Sequence, residues 1–311
     1  MSKRIVFLDA ITLGDISLDS FNKFGDVVIH QKTSKDETLE RVKDANIVVT
    51  NKVVMSDEII STCSSLELIC VAATGMNNID LNSASKHGVE VKNVAGYSTA
   101  SVVQHTFSML FYLTGSSSYY DNYVSSGSYS KSDIFTNLER PYHEISGKKY
   151  GIIGLGEIGK SVANVALAFG AEICYYSTSG KNSDSNYKRV ELDELLQTCD
   201  IISIHSPLNE KTKNLIDINE LRMLKNGATL LNLGRGGIVN ESAMAQVIDE
   251  KNICIGLDVL EVEPMTQNHP LLHVEAKERL YITPHIAWAS IEAREKLVKL
   301  LEKNITTSLN G

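Results

Sequence analysis

No window of the 311-residue chain approaches eighteen uninterrupted apolar residues, so nothing in it reads as a membrane span. An excess of positive charge is missing as well. The formal net charge of −8 argues against a general nucleic-acid surface and leaves room only for a local basic pocket suited to a small anion. Cysteine is scarce and unpatterned: Cys63, Cys70, Cys174, Cys199 and Cys254 form neither a CxxC pair nor a zinc knuckle, and read as buried reduced thiols. The opening "MSKRIVFLDA" runs straight into a strand-like segment with no apolar signal region, so a cytoplasmic location is expected. Internal repeats and low-complexity tracts are also lacking. With 22% charged and 43% apolar residues, the composition excludes general disorder and can fill two cores.

What is present is alternation. Short apolar runs exchange with helix-patterned segments almost from end to end, the sequence signature of a parallel sheet covered by crossover helices, so the fold class is α/β with doubly wound sheets. The first third offers "RIVFL", "DVVIH", "NIVVTN", "LELICVAA" and "VEVKNV" as strands. The second region offers "YGIIGLG", "EICYYS", "DIISIHS", "ATLLNLG", "CIGLDV" and "YITPH". Between them, "SVVQHTFSMLFYL" is helical and leads into "GSSSYYDNYVSSGSYS", too aromatic for a flexible linker and read as an arm that packs on a second subunit. The last segment places Ile291, Leu297, Leu300, Leu301 and Ile305 at helical spacing and returns to the first domain. Two crossings, near Tyr97–Ser101 and Trp288–Ile291, divide the chain into 1–100 with 289–311 and 101–288.

The chemistry sits at strand ends. Gly154, Gly156 and Gly159 form GxGxxG between a strand and a helix, with a second strand following. The first glycine permits the tight turn, the second lets backbone approach a pyrophosphate, and the third allows the helix onto the sheet; the context predicts dinucleotide binding. An NAD-selective site ends its second strand with an acid for the ribose 2′-hydroxyl, yet that position is Ser177. Ser177, Thr178, Ser179 and Lys181 could hydrogen-bond a 2′-phosphate, while the arginine that would grip it bidentately is absent. The cofactor is NAD(H) or NADP(H), with the choice open.

Ligands of open parallel sheets lie beyond the carboxyl ends of the strands. There the sequence places His205, Ser206 and Pro207, then Arg235 in "LLNLGRGG", Asp258 and Glu263 in "CIGLDVLEVEP", and His285 in "YITPHIAW". An arginine, an acid and a histidine beside a nicotinamide suit hydride transfer at the carbon next to a carboxylate. The guanidinium holds carboxylate or ketone oxygens, the imidazole exchanges a proton, and the acid orients the imidazole and favours its protonated form. Each alone has a plainer reading as a loop arginine or a turn residue; their coincidence at successive strand ends does not. "AATGMNN" adds backbone N–H groups at Gly75 and Met76 for a carboxylate, with Lys52 past the preceding strand as a further positive charge. His269 and His273 in "HPLLH" lack a third metal ligand, and no metal is needed for this chemistry.

Together, the Gly154–Gly159 turn, "NLGRGGIVNE", "DVLEVEP" and "TPHIAWAS" resemble the D-isomer-specific 2-hydroxyacid dehydrogenases over essentially the whole chain. "NKVV", "AATGMNNID", "GYSTASVVQHTF" and "HIAWAS" look most like the glycerate dehydrogenases, also called hydroxypyruvate reductases. The resemblance implies a flavodoxin-like substrate domain built from both chain ends, an inserted Rossmann domain, a cleft between them and a homodimer. It implies Arg235 as substrate-binding arginine, Glu263 as the acid paired with the histidine, and His285 as acid/base. Thr74, Val103, Gly156, Glu157, Ile158, Ser206, Pro207, Leu233, Asp258 and Trp288 fall where members touch the cofactor, with Gly154, Gly159, Ser177, Thr178, Lys181, His205 and Gly234 as further candidates. Gly75 and Met76 fall at the substrate carboxylate. Glu157 stands where members usually carry Arg or Lys, and Ser177 where Asp is common. Two alternatives stay open: a bulkier or phosphorylated 2-keto acid as acceptor, and a dinucleotide-sensing corepressor-like dimer without turnover.

Overall fold

The computed structural model describes residues 2–181 and 183–310. The chain divides into two compact units, Met1–Ser98 with Ala289–Gly311, and Thr99–Trp288. Both are α/β with all-parallel sheets.

The first unit holds β1 (Lys3–Phe7), β2 (Gly25–Ile29), β3 (Ile47–Thr50), β4 (Leu68–Val71) and β5 (Glu90–Lys92), in the order β2-β1-β3-β4-β5. β3 and β4 are buried along their whole length, which is why they read as unbroken apolar runs rather than alternating ones. Helices α1 (Lys35–Val42), α2 (Asp57–Thr62) and α3 (Leu81–Lys86) connect the strands.

The second unit opens with α4 (Thr99–Thr114) and α5 (Ser117–Ser125). Its sheet comprises β6 (Lys149–Ile153), β7 (Glu172–Tyr176), β8 (Lys188–Arg189), β9 (Ile201–Ile204), β10 (Thr229–Asn232), β11 (Cys254–Leu257) and β12 (Leu280–Ile282). The crossovers carry α6 (Glu157–Ala168), α7 (Leu192–Thr198), α8 (Ile218–Met223) and α9 (Glu241–Glu250). The order β12-β11-β10-β9-β6-β7-β8 reverses between β6 and β9, the point where a doubly wound sheet opens a ligand crevice. Tyr150 and Ile152 of β6 face one core with α4 and α6, and Ile153 faces the other with α7 to α9.

After the second unit, α10 (Ile291–Leu309) returns to the first and packs on β4. Its buried stripe is Ala293, Leu297, Val298, Leu301 and Ile305, whereas Ile291 is 58% exposed. Ile291 is therefore not part of the core face: it lies one position after the capping Ser290, before the helix has turned inward.

Two elements differ from the sequence expectation. The serine- and tyrosine-rich arm contains a helix, α5, in which Tyr119 and Tyr123 lie four apart with ring centroids 6.3 Å apart. β8 is only two residues long, too short to leave a periodic trace.

Candidate functional site

β6 runs into Gly154 at φ +95°, where a Cβ would lie 2.9 Å from the backbone of Ser206 on the neighbouring strand end. Only glycine makes this turn. At Gly159 a Cβ would stand 2.3 Å from the Gly154 carbonyl, so this glycine lets α6 lie against the turn. A Cβ at Gly156 would meet nothing within 4 Å, so the N-terminus of α6 faces open space. Gly154, Gly156, Thr178, His205, Ser206 and Pro207 share a groove of about 650 Å³.

Ser177 Oγ, Ser206 Oγ and His205 Nδ1 are sealed from solvent without hydrogen-bond partners among the described residues. His205 spends its other nitrogen on Ser203 Oγ at 2.9 Å, and burial pushes its pKa down to about 3, so the ring lining the groove is neutral. Glycines that clear the α6 N-terminus, flanked by polar atoms lacking partners, fit a pyrophosphate-bearing dinucleotide. Glu157, the first residue of α6, is exposed and accepts a hydrogen bond from Thr99 Oγ1 at 2.6 Å.

Three strand ends further along the sheet carry Arg235, Glu263 and His285. After β10, Asn232 Oδ1 accepts from Gly234 N at 3.1 Å and its Nδ2 donates to the Arg235 carbonyl at 2.9 Å, which folds the glycine loop into a fixed turn. Arg235 is half-buried, and Nη1 donates only to its neighbour's carbonyl, Gly234 O, at 2.8 Å. No carboxylate pairs with its guanidinium among the described residues.

A Cβ on Gly236 would lie 1.9 Å from Leu260 O, so the arginine loop sits directly on the Leu260–Glu261 backbone. Leu260 N in turn donates to Glu263 Oε1 at 2.9 Å, and Glu263 Oε2 holds His285 Nδ1 at 2.7 Å. Imidazole and carboxylate are 25% and 34% exposed, accessible yet held.

His285 itself sits at φ +54°, a left-handed conformation that non-glycine residues seldom adopt. Asp258, 1% exposed, holds it there from below: Oδ1 accepts from Ile286 N and Oδ2 from Ala287 N, both at 2.9 Å, and Oδ1 also accepts from Thr283 Oγ1 at 2.6 Å. With the Thr283 hydroxyl so committed, His105 Nε2, 3.0 Å from Thr283 Oγ1, must donate. Asp258 therefore braces the histidine loop.

The remaining candidates are less concentrated. Val103 and Leu233 present side chains to the α4–α6 core, and Trp288 is half-buried. Lys52, Thr74, Gly75 and Met76 belong to the first unit, past β3 and β4. There Asp9 accepts from the Asn51 and Lys52 N–H groups at 2.9 and 2.7 Å and fixes the loop, while Lys52 itself is exposed. Thr74 Oγ1 donates to Val94 O at 3.2 Å. His269 does not reach toward His273: its Nε2 meets Glu241 at 2.7 Å in a buried pair, and Glu241 also accepts from Glu261 N at 2.6 Å, anchoring the Glu263 loop on α9.

Sequence reading missed the His105–Thr283 link, since the two residues are 178 positions apart. It also missed Arg189, which lies on β8 and donates to Gly180 O at 3.1 Å, beside the loop after Ser177. The only available signal was the basic pair "KR" just before the acid-rich start of the next helix.

The chain is similar to known proteins along its length. The model for the NAD-binding domain of D-isomer specific 2-hydroxyacid dehydrogenases matches residues 107–287. A hydroxypyruvate reductase of Blautia hydrogenotrophica is 32% identical, with 99% of this chain and 97% of that one covered. A glycerate dehydrogenase of Methylorubrum extorquens is 34% identical, with 100% and 98% covered. Among solved structures, an acyclic imino acid reductase in complex with NADPH and D-Arg superposes with a TM-score of 0.87 at 27% identity, covering 99% of this chain and 97% of that one.

Proposed function

Since the chain belongs to the D-isomer specific 2-hydroxyacid dehydrogenase family, we propose that it reduces hydroxypyruvate to D-glycerate, or glyoxylate to the achiral glycolate. The bound nicotinamide dinucleotide supplies the hydride. Arg235 takes the anionic end and carbonyl oxygen of the substrate through paired hydrogen bonds, and stabilises the charge that grows on that oxygen. Glu263 engages Nδ1–H of His285, which leaves Nε2 as the nitrogen that gives its proton to the new hydroxyl and retrieves it in the reverse direction. Asp258 and His105 do not touch substrate in this scheme; Asp258 holds the backbone just after His285, and His105 the Thr283 hydroxyl just before it.

One observation carries the reading: an arginine without a carboxylate partner among the described residues lies on a loop packed against the segment whose glutamate grips a histidine. A guanidinium in that position is a receptor for an external anion. The names of the two relatives above, a hydroxypyruvate reductase and a glycerate dehydrogenase, support a three-carbon substrate.

The test is oxidation of reduced dinucleotide by the purified chain with hydroxypyruvate, glyoxylate, pyruvate and a phosphorylated 2-keto acid, compared as kcat/KM. Hydroxypyruvate or glyoxylate is expected to lead the panel. Arg235→Ala should lower kcat/KM by about 10²–10³-fold, the size of losing one donor to a developing oxyanion. Activity within a few-fold of the parent would remove Arg235 from the chemistry, and dinucleotide binding without turnover on any acceptor would favour a sensing role instead. We further infer a cytoplasmic enzyme that acts as a homodimer joined through the α5 arm.

A further inference from the structure

The loop after β7 is chemically lopsided. Ser177, where an acid would accept from a ribose 2′-hydroxyl, is 4% exposed with its Oγ sealed and unpartnered. The loop that follows is shaped by Gly180 N donating to Ser177 O at 3.1 Å and Lys181 N donating to Ser179 Oγ at 3.2 Å. Thr178, Ser179 and Lys181 line the dinucleotide groove, and Lys211 faces it from the loop after β9. Arg189 reaches the same loop from β8, with Nη1 on Gly180 O at 3.1 Å and Nη2 4.0 Å from where a Gly180 Cβ would stand.

Neighbouring cations are neutralised while these are not. Lys160 pairs with Asp184 at 3.0 Å and Lys188 with Glu194 at 2.6 Å, yet Lys181, Arg189 and Lys211 have no ion-pair partner among the described residues. Glu210 is the one acid lining the groove, against Lys181 and Lys211. Cations left unpaired around a hydroxyl-bearing loop, at the strand end that reads the ribose, make an anion site rather than a diol site. A free 2′-hydroxyl offers them nothing to neutralise. A 2′-phosphate offers close to two negative charges and three acceptor oxygens.

We propose that this chain selects NADP(H) over NAD(H), holding the ribose 2′-phosphate with Thr178, Ser179, Lys181 and Arg189, and with Lys211 closing the groove. The inference rests only on the dinucleotide-binding half of the proposed function, not on the keto acid or on Arg235. Arg189 supplies the planar fork that the sequence around Ser177 lacks.

The experiment is calorimetric titration of the full chain with two fragments, 2′,5′-ADP and 5′-AMP, at low and moderate salt, alongside kcat/KM for NADPH and NADH. The expected result is at least about tenfold tighter binding of 2′,5′-ADP, with the gap shrinking as salt screens the phosphate contacts. NADPH should lead NADH in kcat/KM by a similar ratio. Arg189→Ala and Lys181→Ala should each narrow the gap by weakening 2′,5′-ADP alone, with 5′-AMP unchanged, and Ser177→Asp should invert it. Equal binding of the fragments in the unmodified chain overturns the selectivity and leaves hydride transfer standing. Binding of neither fragment overturns the dinucleotide site along with it.

Discussion

At position 285 the chain holds a side chain in a conformation that costs of order 1–3 kcal/mol for most residues, and histidine is among the few that adopt it readily. The cost is met by Asp258, whose two oxygens collect the Ile286 and Ala287 N–H groups. This backbone aims Nδ1 at Glu263, so the carboxylate needs only to fix the ring's rotation. Replacing Glu263 with Gln keeps a hydrogen-bond acceptor and nearly the same shape but removes the charge. A charge-assisted hydrogen bond exceeds a neutral one by about 1–1.5 kcal/mol, so Glu263→Gln should lower kcat by about tenfold with KM little changed. Steady-state kinetics with saturating dinucleotide checks this. An unaltered kcat would mean that the Glu263–His285 contact orients nothing that the reaction uses.

The elements show how a loop can be fixed by what it lacks. Gly236 is needed for space: a Cβ there would stand 1.9 Å from Leu260 O and 2.3 Å from Glu261 N. The displaced segment is the one whose N–H groups hold Glu263 and Glu241. Gly236→Ala should therefore destabilise by roughly 1–3 kcal/mol, as overpacking does, and lower kcat through the shifted glutamate while 5′-AMP binding stays intact. Differential scanning calorimetry together with kcat checks both halves; an unmoved Tm and kcat would show that the loops do not bear on each other.

How far sequence could reach is visible in the same elements. β3, β4, β9 and β10 were legible because a strand covered on both faces is mostly apolar, and Arg235, Glu263 and His285 stood out as candidates because strand ends of such sheets collect chemistry. β8, with two exposed residues, has no periodicity to read, so the side of the sheet reached by Arg189 was invisible. Ile291 looked like a core residue because helical spacing says nothing about where the first turn meets the domain. His105 gave no sign of its role, since its partner Thr283 becomes a neighbour only when α4 crosses the sheet beside β12.

On the scale of the whole molecule, the arm exposes the most apolar surface. It is internally braced: Tyr120 donates to the Arg140 carbonyl at 2.7 Å, Tyr119 to Glu139, and the Tyr119 and Tyr120 rings meet edge to face at 5.1 Å. Its outer side nevertheless leaves Phe135 89% exposed and Leu138 81% exposed, with Ile134 and Tyr142 bare beside them. That much contiguous exposed apolar surface suits a protein contact. The same unit carries a notch of about 450 Å³ lined in part by Phe111, Tyr142, Ile145 and Phe169. We propose that tip and notch pair across a two-fold axis, which is how most homodimers close. Changing Phe135 and Leu138 to Asp together should convert a dimer into a monomer, because two charges cannot be buried there without partners. Both positions are exposed in the single chain, so the fold and its circular dichroism should survive. Sedimentation at micromolar concentration should give twice the chain mass for the parent and one chain mass for the variant, and only the parent should show a Tm that rises with concentration. A parent that sediments as one chain would leave the apolar tip to some other partner and end the dimer reading.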